Sequence, residues 1–327
     1  MNKLSEEAIT SFLQIVPTAK RDELMSNHTS VKIGGPARLY VVAPSNAELL
    51  RIIGEAARLN IPFVVFGGGS NLLVADDGYE GVVIQAADRS MRIEGERVIA
   101  ASGAPTGVVA RAAAEAGLEG FEWGIGVPGT IGGATYGNAG CFGGEMKDVV
   151  SAVETYDPAH GSRRTFSNAD CRFGYRDSRF KHDPYILLET TLLLRPGNRE
   201  TALTRMTEVM EKRKASQPQG SFSAGCLFKN YEFQDGSALD ILKRHGDGIP
   251  ETFLTQKRIP AGWLIDRLGL KGTSIGQAQI SPVHGNFFVN RGGARAQDVL
   301  ALSSFVKMKV RDELGILLED EVQLIGW

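Results

Sequence analysis

The sequence predicts a protein of mixed helices and strands, built as successive units, and three observations predict it. At 327 residues the chain is long enough that more than one folding unit is expected. Short β-branched runs alternate with stretches of helical period along its length. Two glycine-rich turns lie far apart: Gly67-Gly68-Gly69-Ser70-Asn71-Leu72, and Gly124 to Gly144, where nine of 21 residues are glycine. Glycine reaches φ > 0 without strain and lets main-chain N–H groups crowd around an anion. Two such turns point to a diphosphate held between two backbone surfaces, with a dinucleotide cofactor as the obvious candidate.

The elements follow in order. Residues 1–26 are charged and helical in character. Residues 38–42 (Arg-Leu-Tyr-Val-Val) read as a strand. Ser45 with Glu48 forms a capping box that opens a helix. Leu49, Leu50, Ile52, Ile53, Ala56 and Ala57 give that helix one buried face, and Asn60 stops it. The strand 62–66 runs straight into the first glycine turn, and Gly81-Val-Val-Ile84 is a further strand. A second unit starts near Arg89, with a strand at 97–101 and an Ala-rich helix from Thr106 to Ala116 that ends on Gly117. After the glycine-rich segment, strands at 152–156 and 186–194 bracket the polar loop Phe173-Gly-Tyr-Arg-Asp-Ser178. A helix over 201–214 closes the unit, and 215–222 reads as a linker. A third unit from Ser223 holds helices near 237–244, 260–267 and 296–314 and a strand near 286–289. The closing strand 321–325 is too short to stand alone and must add to a sheet elsewhere.

Composition excludes several classes of function. Hydrophobic content of 43%, charged content of 23% and a net charge of −2 offer no reason to expect a nucleic-acid or membrane partner. Cys141, Cys171 and Cys226 are odd in number and widely spaced, which argues for a reducing compartment without a disulfide framework. The histidines show no metal-ligand spacing, so no metal is expected. The N-terminus lacks the pattern of a signal peptide and no apolar run is long enough to span a bilayer, so the expected location is the cytoplasm.

Each motif has an ordinary reading. Gly124-Ile-Gly126-Val127-Pro128-Gly129 matches G-x-G-x-x-G literally, but Pro128, Gly129, Gly132 and Gly133 speak against an immediate helix, and no acidic residue follows at the distance a Rossmann domain requires. Gly67–Asn71 is not a P-loop, because no Gly-Lys-Ser/Thr follows. Surface turns would explain both clusters, a reading strained by the interleaved polar side chains of Thr130, Thr135, Tyr136 and Asn138. Taken singly, Arg176 reads as a surface arginine paired with Asp177 or Asp183, Glu321 as a solvated strand residue, and Cys226 as a small buried hydrophobe. Lys271 and His284 read as surface residues.

In combination the motifs mean more. Lys32-Ile-Gly-Gly-Pro-Ala37, Gly67-Gly-Gly-Ser-Asn-Leu72, Gly126-Val-Pro-Gly-Thr-Ile-Gly-Gly133, Phe173-Gly-Tyr-Arg-Asp-Ser178, Ser223-Ala-Gly-Cys-Leu-Phe-Lys-Asn230, Ala261-Gly-Trp-Leu-Ile-Asp266 and Leu318-Glu-Asp-Glu-Val322 occur in this order. The series resembles the UDP-N-acetylenolpyruvoylglucosamine reductase (MurB) family over roughly residues 25–327. The resemblance implies an α+β protein with an FAD-binding fold of the vanillyl-alcohol-oxidase type, made of two α+β subdomains, plus a C-terminal α+β substrate-binding domain. The implied bounds are 1–86 with the C-terminal strand 318–327 returning to the FAD-binding core, 87–217, and 218–317. The short stretch between Ser178 and Cys226 is similar to the family's second structural type, which lacks a tyrosine-bearing substrate lid.

The implied activity is reduction of UDP-N-acetylglucosamine enolpyruvate to UDP-N-acetylmuramate, using FAD and NADPH, on the way to peptidoglycan. Hydride passes from NADPH to the flavin and from flavin N5 to C3 of the enolpyruvyl group. Charge developing at C2 spreads into the carboxylate as an enolate and needs a cationic or hydrogen-bonding partner and a proton. By the resemblance, Arg176, Cys226 and Glu321 are catalytic. The fork of Arg176 suits the carboxylate, Glu321 must be protonated or hydrogen-bonded to help, and Cys226 gives the proton where most members carry serine. A thiol, with a reference pKa of about 8.5, is mostly protonated near neutral pH and is a stronger acid than a hydroxyl. Gly67, Gly68, Gly69, Ser70, Asn71, Leu72, Gly126, Val127, Pro128, Gly129, Gly132, Gly133, Tyr136, Gly137 and Asn138 are the expected FAD contacts. Tyr175, Asn230, Lys271 and His284 are the expected substrate contacts, with Lys271 on the diphosphate and His284 where a glutamine can occur. The expected state is a monomer. The competing readings are another flavin oxidoreductase of the same fold, such as an alcohol oxidase, and a nucleotide-sugar-binding protein that has lost activity.

Overall fold

The computed structural model describes residues 3–233 and 248–327, which pack as two units. The first comprises residues up to Glu23, Pro36–Gly69 and Tyr79–Ala215; the second comprises Leu24–Gly35, Ser70–Gly78 and Ser216–Trp327. The helix expected near 237–244 lies outside the described residues.

The first unit holds two sheets, each over its own apolar core. In one sheet Tyr79–Ala86 is the central strand, with Pro36–Ala43 and Phe63–Phe66 parallel to it on either side. Parallel neighbours need a crossover, and the helix Asn46–Arg58 supplies it. Ser45 caps that helix, its hydroxyl accepting the Glu48 N–H at 3.2 Å. The Glu48 carboxylate turns to Arg51 rather than completing a capping box. Asn60 ends the helix at φ 53°. Leu49, Ile52, Ile53 and Ala56 are buried, whereas Ala57 is exposed, so the apolar face is narrower than the sequence pattern indicates. The core beneath joins these side chains to Ile9, Phe12, Val41, Val82 and Ile84. The helical character expected for 1–26 is confined to Glu6–Ile15; Lys20–Leu24 is a strand on the sheet's edge.

The other sheet is antiparallel and five-stranded, in the order Ser162–Ser167, Val150–Asp157, Ile186–Leu193, Arg97–Ala101 and Met91–Glu94. Thr106–Glu115 and Arg199–Ser216 are its longer helices, and Val98, Val109, Phe121, Ile131, Val153 and Phe166 lie in its core. The glycine-rich segment departs from expectation, because a short helix, Ile131–Tyr136, does form there. Thr130 caps it by accepting the Gly133 N–H at 3.4 Å. The first half of the G-x-G-x-x-G run, Gly124 to Gly126, ends a 3₁₀ turn, Glu122–Gly126, that follows a strand of only two residues, Leu118–Glu119. A Rossmann motif needs a full strand there, so the segment is not one.

In the second unit, Phe222–Cys226, Phe287–Asn290, Ala278–Ile280 and Ser274–Ile275 form an antiparallel sheet. Helices Ala261–Arg267 and Ala296–Leu314 pack on a core that includes Phe228, Leu264, Ile280, Phe288, Leu302 and Val306. The linker expected at 215–222 is shortened to 217–221, because the preceding helix continues to Ser216 and the strand begins at Phe222. Asp76 accepts the first N–H groups of the long helix, from Ala296 at 2.8 Å and Gln297 at 3.1 Å, a cap drawn from a distant turn. The terminal strand is Gln323–Ile325, parallel to Leu72–Val74, and Glu321 stands just before it. No described helix is long and apolar enough to cross a membrane.

Candidate active site

The first unit brings the two glycine-rich turns together. A methyl group on Gly67 would lie 2.2 Å from the Thr130 hydroxyl oxygen, and one on Gly68 2.9 Å from Gly129 Cα. Gly132 has no room either, since its Cβ would stand 2.6 Å from Ser102 Cβ. Yet Gly68, Pro128 and Gly133 are exposed, and a Cβ on Gly133 or Gly137 would meet nothing nearer than 3.6 Å. The outcome is a strip of bare main chain that is packed tightly to itself and still reachable from solvent. A diphosphate and a flat ring system can lie directly on such a surface, because no side chain holds them away from the backbone. The residues present therefore fit FAD.

The expected FAD contacts do not behave alike. Gly69 is buried at φ 63° and shapes the turn. Gly126 is buried against Val209 and Cys141, and its carbonyl accepts from Arg213, so it is a packing glycine. Val127 is half-buried. Tyr136 is half-buried; its carbonyl accepts the Ser178 hydroxyl at 2.7 Å, and burial holds its phenol above the usual range. Asn138 is fully buried with its amide directed into the protein. Ser70, Asn71 and Leu72 belong to the second unit.

Arg176 sits in a tight turn of the first unit. Gly174 and Asp177 exchange main-chain hydrogen bonds of 3.0 and 3.2 Å, and Arg176 takes a left-handed φ of 51°. That conformation is costly for a residue with a Cβ and is held by its surroundings. The guanidinium donates to the Gly140 carbonyl at 2.7 Å and the Asn138 carbonyl at 3.4 Å, and lies 5.2 Å from the ring of Tyr175. Lys181 Nζ donates to the Arg176 carbonyl at 2.7 Å.

Two distant stretches of the second unit converge on the segment that carries Glu321. Its N–H donates to the Leu227 carbonyl at 2.8 Å, and Lys229 N–H donates to the Glu319 carbonyl at 2.8 Å. Cys226 therefore lies next to the residue that holds Glu321. The Asn71 amide donates to the Glu321 carbonyl at 3.2 Å, which ties the end of the first glycine turn to the same point. Cys226 pairs with Phe287 across a bulge that begins after Ser223, and Gly225 takes a φ of 82° within it. A bulge at a site re-aims the side chain that follows.

Asn286 was not anticipated from sequence. It is 1% exposed, and its side chain accepts from Phe228 N–H at 2.9 Å and donates to the Phe228 carbonyl at 2.7 Å. It thus stands in for a strand partner just beyond Cys226. The one sequence cue was an amide residue at the start of the apolar run Phe287-Phe288-Val289. Its own N–H donates to His284 Nδ1 at 3.1 Å. Burial first, then the charge of Lys271, holds the His284 imidazole below its ordinary range and so neutral near pH 7. Lys271 is paired with Asp266 at 2.7 Å, and Asn230 Oδ1 accepts the first N–H of the helix Ala261–Arg267 at 3.1 Å. Lys271 and His284 are thus neighbours, while Arg176 and Tyr175 belong to the other unit.

Two of the cysteines are placed in a way that labelling can read. Burial pushes the Cys141 thiol up to about 11 and the Cys171 thiol up to about 12. Iodoacetamide at about pH 8 modifies thiolates, so peptide mass analysis is expected to find Cys141 and Cys171 slow to alkylate in the native protein and fast once it is unfolded. Rapid alkylation of either in the native protein would contradict this arrangement.

Two family models match the chain: an FAD binding domain over residues 37–167, and the C-terminal domain of UDP-N-acetylenolpyruvoylglucosamine reductase over 217–325. The chain is 37% identical over 306 residues to the UDP-N-acetylenolpyruvoylglucosamine reductase of Caldanaerobacter subterraneus subsp. tengcongensis, covering 93% of each chain. It is 39% identical over 308 residues to that of Heliobacterium modesticaldum, covering 94% of this chain and 90% of the relative. Among solved structures, the UDP-N-acetylenolpyruvylglucosamine reductase (MurB) of Thermus caldophilus superposes with a TM-score of 0.74 at 35% identity, over 94% of this chain and 98% of that one.

Proposed function

The chain belongs to the UDP-N-acetylenolpyruvoylglucosamine reductase (MurB) family, and on that premise we propose how its own residues carry the family's reaction. It is a flavin oxidoreductase, a UDP-N-acetylmuramate dehydrogenase of cell-wall synthesis, whose fold joins an FAD-binding domain to a family-specific C-terminal domain. The substrates are UDP-N-acetylglucosamine enolpyruvate and NADPH, and the place of work is the cytoplasm. We retain three parts, 1–86 with 318–327, 87–217 and 218–317; the two separate cores of the first unit support the boundary between 1–86 and 87–217, whereas Leu318 and Val322 pack in the core of the second unit. We also retain a monomer.

Gly67, Gly68, Gly69, Gly129, Gly132 and Gly133 would hold FAD on their bare main chain, and Ser70 and Asn71, next in sequence, are retained as FAD contacts. Bound there, FAD would supply the hydride chemistry that links NADPH to C3 of the enolpyruvyl group. Arg176 pairs with the substrate carboxylate, into which charge from C2 spreads. Cys226 gives its proton to C2 and recovers one from solvent, so one hydride and one proton saturate the double bond. Glu321 stands beside the reacting atoms as a hydrogen-bonding partner. Tyr175 positions substrate, Lys271 offsets diphosphate charge, and neutral His284 offers a hydrogen bond with Asn230 nearby in sequence to Cys226.

The observation that carries this reading is the convergence of Asn71, the Cys226–Leu227 segment and Glu321, three parts of the chain remote in sequence. Anaerobic stopped-flow tests it. NADPH is expected to bleach the flavin, and the enolpyruvyl nucleotide then to restore the colour with one UDP-N-acetylmuramate formed per flavin. A flavin that NADPH reduces and the nucleotide leaves reduced would overturn it.

A further inference from the structure

Arg176 is held at both its root and its head by one buried side chain and its backbone. Asn138 is 0% exposed at φ 41°. Its Nδ2 donates to the Gly174 carbonyl at 2.7 Å and to Glu145 Oε2 at 3.1 Å, and its Oδ1 accepts the Lys147 N–H at 2.9 Å. Gly174 opens the tight turn that carries Arg176. The carbonyl of Asn138 itself accepts from Arg176 Nη1 at 3.4 Å, and two residues on Gly140 accepts from Nη2 at 2.7 Å. Glu145, across a short hairpin from Gly140, anchors the far side of the same amide. The segment 138–147 is thereby locked to the arginine's turn by two side chains, the Asn138 amide at the turn's root and the Arg176 guanidinium at its head.

We propose that Asn138 is a positioning residue for Arg176. The proposal rests on the reading of Arg176 as the partner of the substrate carboxylate. A long guanidinium side chain loses much of its rotamer freedom when it is fixed. A site that fixes it before substrate arrives has already met that cost. Asn138 fixes the backbone from which the side chain departs and the carbonyl against which its head rests. The amide hydrogens of Asn138 are both spent within the protein, so its side chain acts through Arg176 and not by donating to a cofactor.

Glycine separates this role from that of a turn residue. A left-handed φ of 41° suits glycine at least as well as asparagine, so Asn138→Gly keeps the backbone conformation and removes only the amide. Asn138→Asp keeps the shape but replaces the donor with an acceptor, facing the Gly174 carbonyl and Glu145. In the full-length holoenzyme, Asn138→Gly is expected to keep its FAD and to be reduced by NADPH within about twofold of the parent, while reoxidation by the enolpyruvyl nucleotide slows by about 10- to 100-fold, the usual cost of a misplaced group. Asn138→Asp is expected to show the same split. Combined with Arg176→Met, Asn138→Gly is expected to add no further loss, because its effect passes through the arginine.

The outcomes are distinguishable. If Arg176→Met is itself silent, the reading of Arg176 fails. If Arg176→Met is severe but Asn138→Gly is silent, or the two losses multiply, the positioning role fails alone. Loss of FAD or of folding in both Asn138 variants would make the residue structural and overturn the proposal as well.

Discussion

Replacing Cys226 with alanine is expected to slow reoxidation of the NADPH-reduced flavin by the enolpyruvyl nucleotide by about 10²–10⁴-fold, the range a positioned general acid contributes. The reason lies in how the thiol is placed. Ala224 and the left-handed Gly225 bulge out of the ladder, Cys226 re-enters it opposite Phe287, and Asn286 grips Phe228 just beyond. Cys226→Ser restores a proton on the same atom position and is expected to keep turnover within roughly tenfold of the parent, a weaker acid in unchanged geometry. Both variants should bind FAD and be bleached by NADPH at the parental rate, because the role proposed for the thiol belongs only to the second half of the reaction. A Cys226→Ala enzyme that is reoxidised at the parental rate would remove the thiol from the mechanism.

The second large effect belongs to Arg176. Arg176→Met, similar in length but uncharged, is expected to lower kcat by about 10²–10³-fold, the loss typical of removing a group aimed at developing charge. It should also raise KM, because the carboxylate is present in substrate as well as in the transition state. Arg176→Lys is expected to recover only part of the loss, since an ammonium cannot reproduce a planar fork resting on the Asn138 and Gly140 carbonyls. All three residues would share the same left-handed φ near 51°, so the comparison holds backbone strain constant. Steady-state kinetics within threefold of the parent for Arg176→Met would refute the assignment.

Much of this could be read along the chain, because local rules were obeyed. Ser45 caps its helix, Asn60 ends it, Gly117 takes a left-handed φ after the Ala-rich helix, and Gly67–Gly69 follow directly on a strand. Where local rules misled, a distant contact had changed the balance. The glycines at 132 and 133 argue against a helix by propensity, yet Ile131–Tyr136 is helical. Its N–H groups find partners in Thr130, Ala104 and Ser102, and Ser102 leaves no room for a side chain at 132. Likewise 20–24 is too charged to announce a strand, but it lies on an exposed sheet edge where charge costs little.

The sequence by itself determined the chemistry on offer: two turns that only glycine can build, an arginine in a polar loop, a thiol, and a late glutamate, in an order that resembles one family. It could also say that the last strand must pair elsewhere. Only the tertiary structure decided that this strand lies beside Leu72–Val74, that Glu321 precedes it on the Leu227 carbonyl, and that buried Asn138 and Asn286 hold the arginine and the thiol segments. The physical reason is that a side chain's identity travels with the chain, whereas its hydrogen-bond partners are chosen by whichever backbone folding brings within 3 Å of it.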